Sequence, residues 1–487
     1  MLSFTISLVA LLLGYLIYGR IVERIFAPDD RPTPAETMAD GVDFVPMSRW
    51  KIFMIQFLNI AGTGPIFGAI MGAKFGPSSY LWIVLGCIFG GGVHDYMTGM
   101  LSTRNGGQGL PELVGKYLGH RTRAVTLAFT VLLLLFVGVV FVYSPAQLLT
   151  FYGGSIVMWI LLIFAYYLLA TMLPIDKIIG KVYPLFACSL LFMAAALMVC
   201  LYVKMPHIPE VWYGLGNMAK AAHPEFTDNI FPCLFITIAC GALSGFHATQ
   251  SPLMARCIRS ERWGRPVFYG AMITEGVVAL VWAAVSSWFF YAQPVPGYEL
   301  LGQSSVGFLA SAPQVVQYVC NGWLGALGGV LAVLGVVAAP ITSGDTAFRS
   351  VRLILADAFH LPQVHKRQRL LVSIPVFAVA IALLLWQCGN ANGFNVIWQY
   401  FGWSNQTLSV FTLWMATAFL VQQGKCYWLT LVPALFMTCV CSTYFFVSGQ
   451  MLHLSGSVGY PLGGVVTLIA ACWFFRWLHR RRANGQQ

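Results

Sequence analysis

Charged side chains are scarce in this sequence of 487 residues. Asp, Glu, Lys and Arg make up 9% of it, and hydrophobic residues make up 58%. Soluble domains carry about 25% charged and roughly 45–50% apolar residues. The 28 Lys and Arg and the 17 Asp and Glu residues are too few to cover a soluble protein of this length. The composition therefore excludes a water-soluble globular enzyme and indicates a polytopic membrane protein.

Catalytic and metal-binding motifs are missing from the sequence as well. It has no Gly-x-Ser-x-Gly elbow, no His-Glu-x-x-His pair and no phosphate-binding loop. The 12 cysteines lie almost all inside apolar runs and lack the spacing of a zinc site or a disulfide framework. We therefore expect no metal and no cofactor, apart from a coupling ion of the kind discussed below.

Long apolar runs dominate what is present. A membrane-spanning helix needs roughly 20 apolar residues, whereas the strands of a barrel alternate apolar and polar residues over about 10. The runs here are nearly continuous, so the predicted fold class is an all-α polytopic membrane protein. Thirteen spans are predicted, at residues 2–18, 53–73, 80–100, 124–143, 156–173, 183–203, 230–249, 267–292, 324–343, 370–388, 394–420, 427–447 and 458–477.

Positive charge alternates between the two ends of these spans. The connections after spans 1, 3, 5, 7, 9 and 11, with the C-terminal tail, hold all Lys and Arg residues except Lys74, Lys204 and Lys220. The positive-inside rule then predicts an outside N-terminus, a cytoplasmic C-terminus and an uncleaved anchor at span 1. The basic clusters at residues 256–265, 366–369 and 480–482 are interpreted as anchors at an anionic leaflet, and no nucleic-acid partner is expected.

Two of the spans contain glycine-rich interruptions. Span 2 reads QFLNIAGTGPIFG over residues 56–68, and span 7 reads IACGALSGFHAT over residues 238–249. Each interruption is either a small-residue packing face or irregular backbone that lines a site. Because the interruptions lie five spans apart, they fall in oppositely oriented segments, which is the pattern of an inverted-repeat transporter. We predict repeats at residues 51–204 and 205–424, with peripheral segments at residues 1–50 and 425–487.

The interruptions also predict a substrate site. The N-terminal ends of half-helices face anionic groups and freed carbonyls face cations, so a ligand with a carboxylate is expected. Span 11 adds four consecutive polar side chains, interpreted as lining a cavity. The predicted substrate-binding residues are Asn59, Gly62, Thr63, Gly64, Gly241, Ser244, Gly245, His247, Ser404, Asn405 and Gln406.

Polar side chains at membrane depth are candidates for ion coupling. They are Glu275 in span 8, His94 and Asp95 in span 3, and Thr342, Ser343 and Asp345 at the end of span 9. Glu275 either carries a proton or hydrogen-bonds a neighbouring helix. The span 3 pair forms either a proton relay or an interfacial anchor, and the span 9 group forms either a sodium site, with Thr342 and Ser343 as ligands, or a helix cap. The coupling ion, H⁺ or Na⁺, stays open.

Several of these motifs together resemble the carbon starvation (CstA) family. The matching stretches are residues 59–66 (NIAGTGPI), 91–96 (GGVHDY), 102–107 (STRNGG), 240–247 (CGALSGFH), 342–349 (TSGDTAFR) and 401–406 (FGWSNQ). The resemblance runs from about residue 47 to residue 420 and is to the shorter form of the family. It implies an inner-membrane secondary carrier for peptides or pyruvate, associated with carbon starvation, with the LeuT-like five-plus-five fold.

The predicted function is therefore cation-coupled import of a small nutrient that bears a carboxylate, either a short peptide or pyruvate. The alternatives are a passive channel or facilitator for the same solutes and a membrane-embedded enzyme. The expected partners are the lipid bilayer and a small-molecule substrate, and the oligomeric state stays open.

Overall fold

The protein is an assembly of helices in a computed structural model that describes residues 1–172, 179–223, 226–291, 308, 310–361, 366–390 and 393–483. Within these residues there is no β-strand. The predicted all-α class is confirmed.

The helices before residue 205 begin with α1 and end with α11. They are α1 (Leu2–Leu13), α2 (Gly19–Phe26), α3 (Pro34–Thr37), α4 (Arg49–Ala61), α5 (Ala69–Ala73), α6 (Ser78–Leu85), α7 (Gly92–Arg104), α8 (Leu110–Leu118), α9 (His120–Thr150), α10 (Ile156–Met172) and α11 (Ile179–Lys204). Wider π-helical turns join some of these helices end to end, at Gly14–Tyr18, Gly64–Gly68 and Gly86–Gly91.

The helices after residue 205 begin with α12 and end with α20. They are α12 (Met218–Ala222), α13 (Phe235–Thr237), α14 (Gly245–Ala255), α15 (Gly270–Tyr291), α16 (Ala312–Ala358), α17 (Lys366–Gly389), α18 (Gly393–Gln422), α19 (Trp428–Val447) and α20 (Gly456–Ala483). Short helical turns lie between them, at Val211–Tyr213, Ile230–Leu234, Glu261–Trp263 and Arg265–Tyr269.

Seven helices in the described part of the chain are long and apolar enough to cross a membrane. They are Leu2–Phe26, His120–Thr150, Tyr183–Lys204, Glu261–Tyr291, Arg367–Gly389, Trp428–Val447 and Gly456–Ala483. An eighth results if Arg49–Ala61 and Gly64–Ala73, which are bent by 51°, form one span. The other predicted spans also contain helix, in α6 and α7, α10, α13 and α14, α16 and α18. The count of thirteen spans stays a prediction.

The interruption predicted in span 2 is present. α4 ends at Ala61, and a new helical segment begins at Gly64. Gly62 has a φ of +33°, and a Cβ at this residue would lie 2.6 Å from the Phe141 ring. A side chain is disfavoured there both by the backbone conformation and by the contact. Pro65 lies in the first turn of the second segment, where its missing N–H has no helical partner to lose.

The interruption predicted in span 7 is also present, and it touches the first. α13 ends at Thr237, and α14 begins only at Gly245. A Cβ on Gly64 would lie 2.3 Å from the Cβ of Cys240, and a Cβ on Gly241 would lie 3.4 Å from the Cα of Pro65. The two breaks therefore cross at close range, which only glycine allows at residue 64, and a Cβ on Gly241 would also lie 2.6 Å from the Cβ of Ala279.

The helix that carries the span 9 motif is longer than predicted. α16 continues to Ala358, so Asp345 lies within it, and the helix-cap interpretation is wrong. The Asp345 carboxylate instead accepts a hydrogen bond of 2.7 Å from the Tyr183 hydroxyl. Thr342 and Thr346 donate to carbonyls three and four residues earlier, so the helix accommodates these hydroxyls without ending.

Two of the predicted lipid anchors, Arg256 and Arg369, are buried. Arg256 is 7% exposed, and its Nε donates to the Gly107 carbonyl at 2.9 Å. Its guanidinium also lies 3.5 Å from the Asp357 carboxylate. The anchor interpretation is wrong for Arg256 because these partners hold it between the connection that contains Gly107 and the last turn of α16. Arg262, by contrast, is exposed and pairs with Asp30 at 2.6 Å.

Candidate functional site

Four ionisable side chains from three helices meet beside the second break. His94 and Asp95 come from α7, His247 from α14 and Glu275 from α15, and all four are fully buried. The Asp95 carboxylate lies between two imidazoles, 2.8 Å from His94 Nδ1 and 2.9 Å from His247 Nδ1. His247 Nε2 lies 3.3 Å from Glu275 Oε2. We call these four residues the ionisable cluster.

The two carboxylates of the ionisable cluster differ in what they bind. Asp95 accepts one hydrogen bond at each oxygen, so both oxygens are used. Neither Glu275 oxygen accepts a hydrogen bond from the described residues, and its contact with His247 has the distance of an ion pair without hydrogen-bond alignment. Glu275 is therefore the carboxylate with room for a proton. A proton on His247 Nε2 has a nearby acceptor in Glu275, and the reverse transfer uses the same pair.

All four of these residues are predicted site residues, but the sequence did not predict that they form one cluster. His94, Asp95 and Glu275 were predicted as ion-coupling residues, whereas His247 was predicted to bind substrate. The structure brings His247 between Asp95 and Glu275. Spacing along the chain contains no signal for this grouping, because His94 and His247 are 153 positions apart.

Asn405 of α18 holds the second break in shape. Its side-chain oxygen accepts hydrogen bonds from the Phe246 N–H at 2.6 Å and from the Ser244 hydroxyl at 3.1 Å. It thus satisfies a free N–H in the first turn of α14, as an N-cap side chain does, although it comes from another helix. A Cβ on Gly245 would lie 2.3 Å from the Asn405 carbonyl oxygen, so the two helices approach backbone to backbone.

The neighbours of Asn405 point to other parts of the structure. Gln406 Nε2 donates to the Phe235 carbonyl in α13 at 2.9 Å. Ser404 donates to the Phe401 carbonyl at 3.1 Å and lines an apolar cavity of about 460 Å³. Of the three residues predicted in span 11, Asn405 contacts the break itself, Gln406 binds the helix before it, and Ser404 lies beside a lateral cavity.

Polar groups at the first break lack partners. The side-chain nitrogen and oxygen of Asn59 and the hydroxyl of Thr63 are buried and make no hydrogen bond with the described residues. Buried polar groups are nearly always paired, so these three atoms indicate a ligand site at the first break. They flank Gly62, where the backbone leaves the helix.

Hydroxyls of α16 lie next to the same break. The Ser343 hydroxyl donates to the Leu58 carbonyl at 3.0 Å, which joins α16 to the last turn of α4. Thr342 donates within its own helix, to Ala338 and Ala339. The described residues contain no group of three or more His, Cys, Asp or Glu side chains suited to a metal ion. Ser343 thus lies beside the first break, and the role of Thr342 and Ser343 as sodium ligands stays a prediction.

Broken, crossing helices with buried polar groups at the crossing define a membrane transporter of the LeuT-type fold. The fold is shared with a manganese transporter of Eremococcus coleocola bound to an aromatic bis-isothiourea compound, with a TM-score of 0.56, 12% identity and coverage of 91% of this chain and 98% of that one. It is also shared with a Na⁺-coupled sialic acid symporter, with a TM-score of 0.53, 15% identity and coverage of 96% of each chain.

The chain belongs to the carbon starvation protein CstA family, whose model matches residues 1–150, 139–294 and 303–444. It is 47% identical over 341 residues to an uncharacterised membrane protein of Haemophilus influenzae, covering 60% of this chain and 91% of that protein. It is 27% identical to the peptide transporter CstA of Campylobacter jejuni (88% and 77% covered) and 26% identical to that of Bacillus subtilis (95% and 93% covered).

These relationships confirm the family, the membrane class and the transporter assignment made from the sequence. The chain is a multi-pass inner-membrane transporter, not an enzyme. The side that each terminus faces and the absence of a nucleic-acid partner stay predictions.

Proposed function

We propose that this transporter imports short peptides together with protons. The observation that carries the proton assignment is the contact of 3.3 Å between His247 Nε2 and a Glu275 carboxylate that accepts no hydrogen bond from the described residues. The relatives named peptide transporter CstA support the substrate class.

Proton binding and substrate binding share one helix in this proposal. His247 lies on α14, and α14 begins at the second break. When Glu275 is ionised, its attraction to a protonated His247 holds α15 against α14. A proton on Glu275 removes that attraction and leaves His247 with Asp95. The charge state of Glu275 therefore acts on the half-helix that borders the substrate, which is the coupling that symport requires.

Asn59 favours a peptide over pyruvate. Its side chain offers both donors and an acceptor, and neither kind is used by the described residues. A peptide carries N–H groups and carbonyls, so it satisfies both ends of the amide. Pyruvate carries only acceptors and would leave the Asn59 oxygen unpaired in a buried site, which is costly. The N-terminal end of the segment that begins at Gly64 suits the carboxylate of either solute.

Sodium coupling and passive flux are the alternatives. Ser343 is beside the first break through its hydrogen bond to the Leu58 carbonyl, which supports a sodium site at that location. A facilitator would use the same cavity without an ion. The name of the family adds the expectation that the carrier serves cells short of carbon.

Uptake into proteoliposomes tests the proposal. A labelled dipeptide and labelled pyruvate are each offered under an inward proton gradient and, separately, an inward sodium gradient. We expect the dipeptide to accumulate above its outside concentration with the proton gradient alone. Accumulation driven by sodium would contradict the proton assignment, and equilibration without accumulation would make the protein a facilitator.

A further inference from the structure

Lys74 is a buried cation outside the site described above. It follows α5 directly and is 4% exposed. Its ammonium lies 5.2 Å from the centre of the Phe290 ring and 4.9 Å from the centre of the Phe308 ring. Within the described part of the chain, no hydrogen bond or ion pair reaches this ammonium. The Tyr291 hydroxyl donates to the Lys74 carbonyl and so fixes the backbone there.

Among the described residues, no anion lies within ion-pair distance of this ammonium. Removing a charge from water is costly unless a counter-charge compensates, and the faces of two aromatic rings compensate only in part. Burial lowers the pKa of the Lys74 ammonium to about 8. The group therefore stays mostly protonated at neutral pH, so a positive charge lies in a largely apolar environment.

The rings around Lys74 form an apolar wall. Phe290 and Phe308 lie 5.7 Å apart, centre to centre, and Phe226 packs edge-on against Phe308. A cation next to an apolar wall is complementary to a solute with a carboxylate and an apolar side chain.

Lys74 is at the far end of the segment that starts at the first break. Ten residues separate it from Gly64, which is about 15 Å at 1.5 Å per residue. A dipeptide extends over about 7 Å at roughly 3.5 Å per residue, so it cannot contact Lys74 and the break together. Lys204 and Lys220, the other basic residues on the predicted outer side, are exposed.

We propose that Lys74 is an outer docking site that binds the carboxylate of an incoming peptide before the peptide reaches the break. The inference rests on the proposed function, because it concerns the same solute on its path to the same site. Lys74 acts before the inner site, so its loss affects the apparent affinity for the solute and leaves the turnover rate unchanged.

Uptake by variants of Lys74, two neutral and one positively charged, tests this role. Lys74→Met, Lys74→Gln and Lys74→Arg are compared with the wild type, and Lys204→Met is the matched control at an exposed lysine. Each is offered a dipeptide with a free carboxylate and the same dipeptide as its C-terminal amide. We expect Lys74→Met and Lys74→Gln to raise KM for the free dipeptide about tenfold with kcat unchanged, as for loss of one hydrogen bond to a charged group. KM for the amide stays the same, and Lys74→Arg and Lys204→Met behave like the wild type. Equal changes for the acid and the amide, or no change for either, would overturn the docking role.

Binding in detergent separates this inference from the proposed function. Calorimetry measures the affinity of the purified protein for the acid and for the amide. We expect a preference for the acid in the wild type that falls about tenfold in Lys74→Met and Lys74→Gln. If the wild type transports no peptide but shows this preference, the proposed function is wrong and the docking site stands. A preference that is absent, or that persists in both neutral variants, overturns the docking site whether or not peptides are transported. Each variant must have the wild-type elution volume in size-exclusion chromatography and the wild-type melting temperature. Two neutral variants are used so that the test still holds if one of them folds poorly.

Discussion

Replacing Glu275 by Gln tests whether the Glu275 carboxyl carries the coupled proton. Gln keeps the volume of the side chain in its buried position on α15 but cannot exchange a proton. His247 Nε2, which lies 3.3 Å from the Glu275 carboxylate, would then face a neutral amide. Asp95 alone would balance the charge of His247.

The expected magnitude follows from the number of proton sites. Both Asp95 oxygens are used by histidines, so Glu275 supplies one exchangeable proton in the ionisable cluster. One proton moving down a gradient of one pH unit releases about 1.4 kcal/mol, which corresponds to about tenfold accumulation of the solute. We therefore expect about tenfold accumulation of dipeptide by the wild type and none by Glu275→Gln.

The assay compares driven uptake with exchange. Proteoliposomes are tested with a gradient of one pH unit and then, without a gradient, for exchange of internal unlabelled for external labelled dipeptide. Glu275→Gln should lose accumulation but keep exchange within about threefold, because the substrate groups at Asn59 and Thr63 are untouched. The matched control is Glu36→Gln, since Glu36 is an exposed glutamate on α3. Full accumulation by Glu275→Gln would refute the proton assignment.

Three other predictions concern the crossing of the broken helices. Gly245→Ala should lower the thermal stability, because its Cβ would lie 2.3 Å from the Asn405 carbonyl oxygen and overpacking costs about 1–3 kcal/mol; Gly464→Ala, which meets nothing within 4 Å, should melt like the wild type, and equal melting of the two variants would contradict the close approach. Asn405→Leu should cost about 1–3 kcal/mol and most of the uptake, because the Phe246 N–H loses its acceptor. Asn405→Asp keeps an acceptor and should retain more of the stability and of the uptake than Asn405→Leu. If the two variants are equally impaired in both, the capping role is wrong. Ser343→Ala should still accumulate dipeptide about tenfold in the proton-driven assay, since one proton sets that ratio, whereas sodium-driven accumulation by the wild type that Ser343→Ala abolishes would favour the sodium site.

The breaks were predictable from the sequence because their cause is local. Glycine and proline weaken any helix that contains them. This predicts a break in span 2 at Gly62, Gly64 and Pro65 and a break in span 7 at Gly241 and Gly245. Their pairing also followed from the sequence, since two interruptions in oppositely oriented segments are the pattern of an inverted-repeat transporter; the close contact between them did not. Glu275 and Asp95 stood out because ionisable residues are rare in apolar helices.

The contacts between helices were not predictable. An apolar helix shows little periodicity, so the sequence does not reveal that the face of α14 with His247 packs against Asp95. The helix-cap alternative for the span 9 group is wrong because α16 continues to Ala358, and the partner of Asp345, the Tyr183 hydroxyl, is 162 residues away. Lys74 was counted only as a basic residue on the outer side, because its burial depends on Phe290 and Phe308.

Simultaneous measurement of proton and peptide entry tests the central claim most directly. Proteoliposomes that contain a pH-sensitive dye start with equal pH on both sides, and an inward gradient of dipeptide is applied. We predict acidification of the interior with about one proton for each dipeptide, as a single coupled proton carried by Glu275 requires, and no acidification with Glu275→Gln. Dipeptide entry through the wild-type protein without acidification would contradict proton-coupled import.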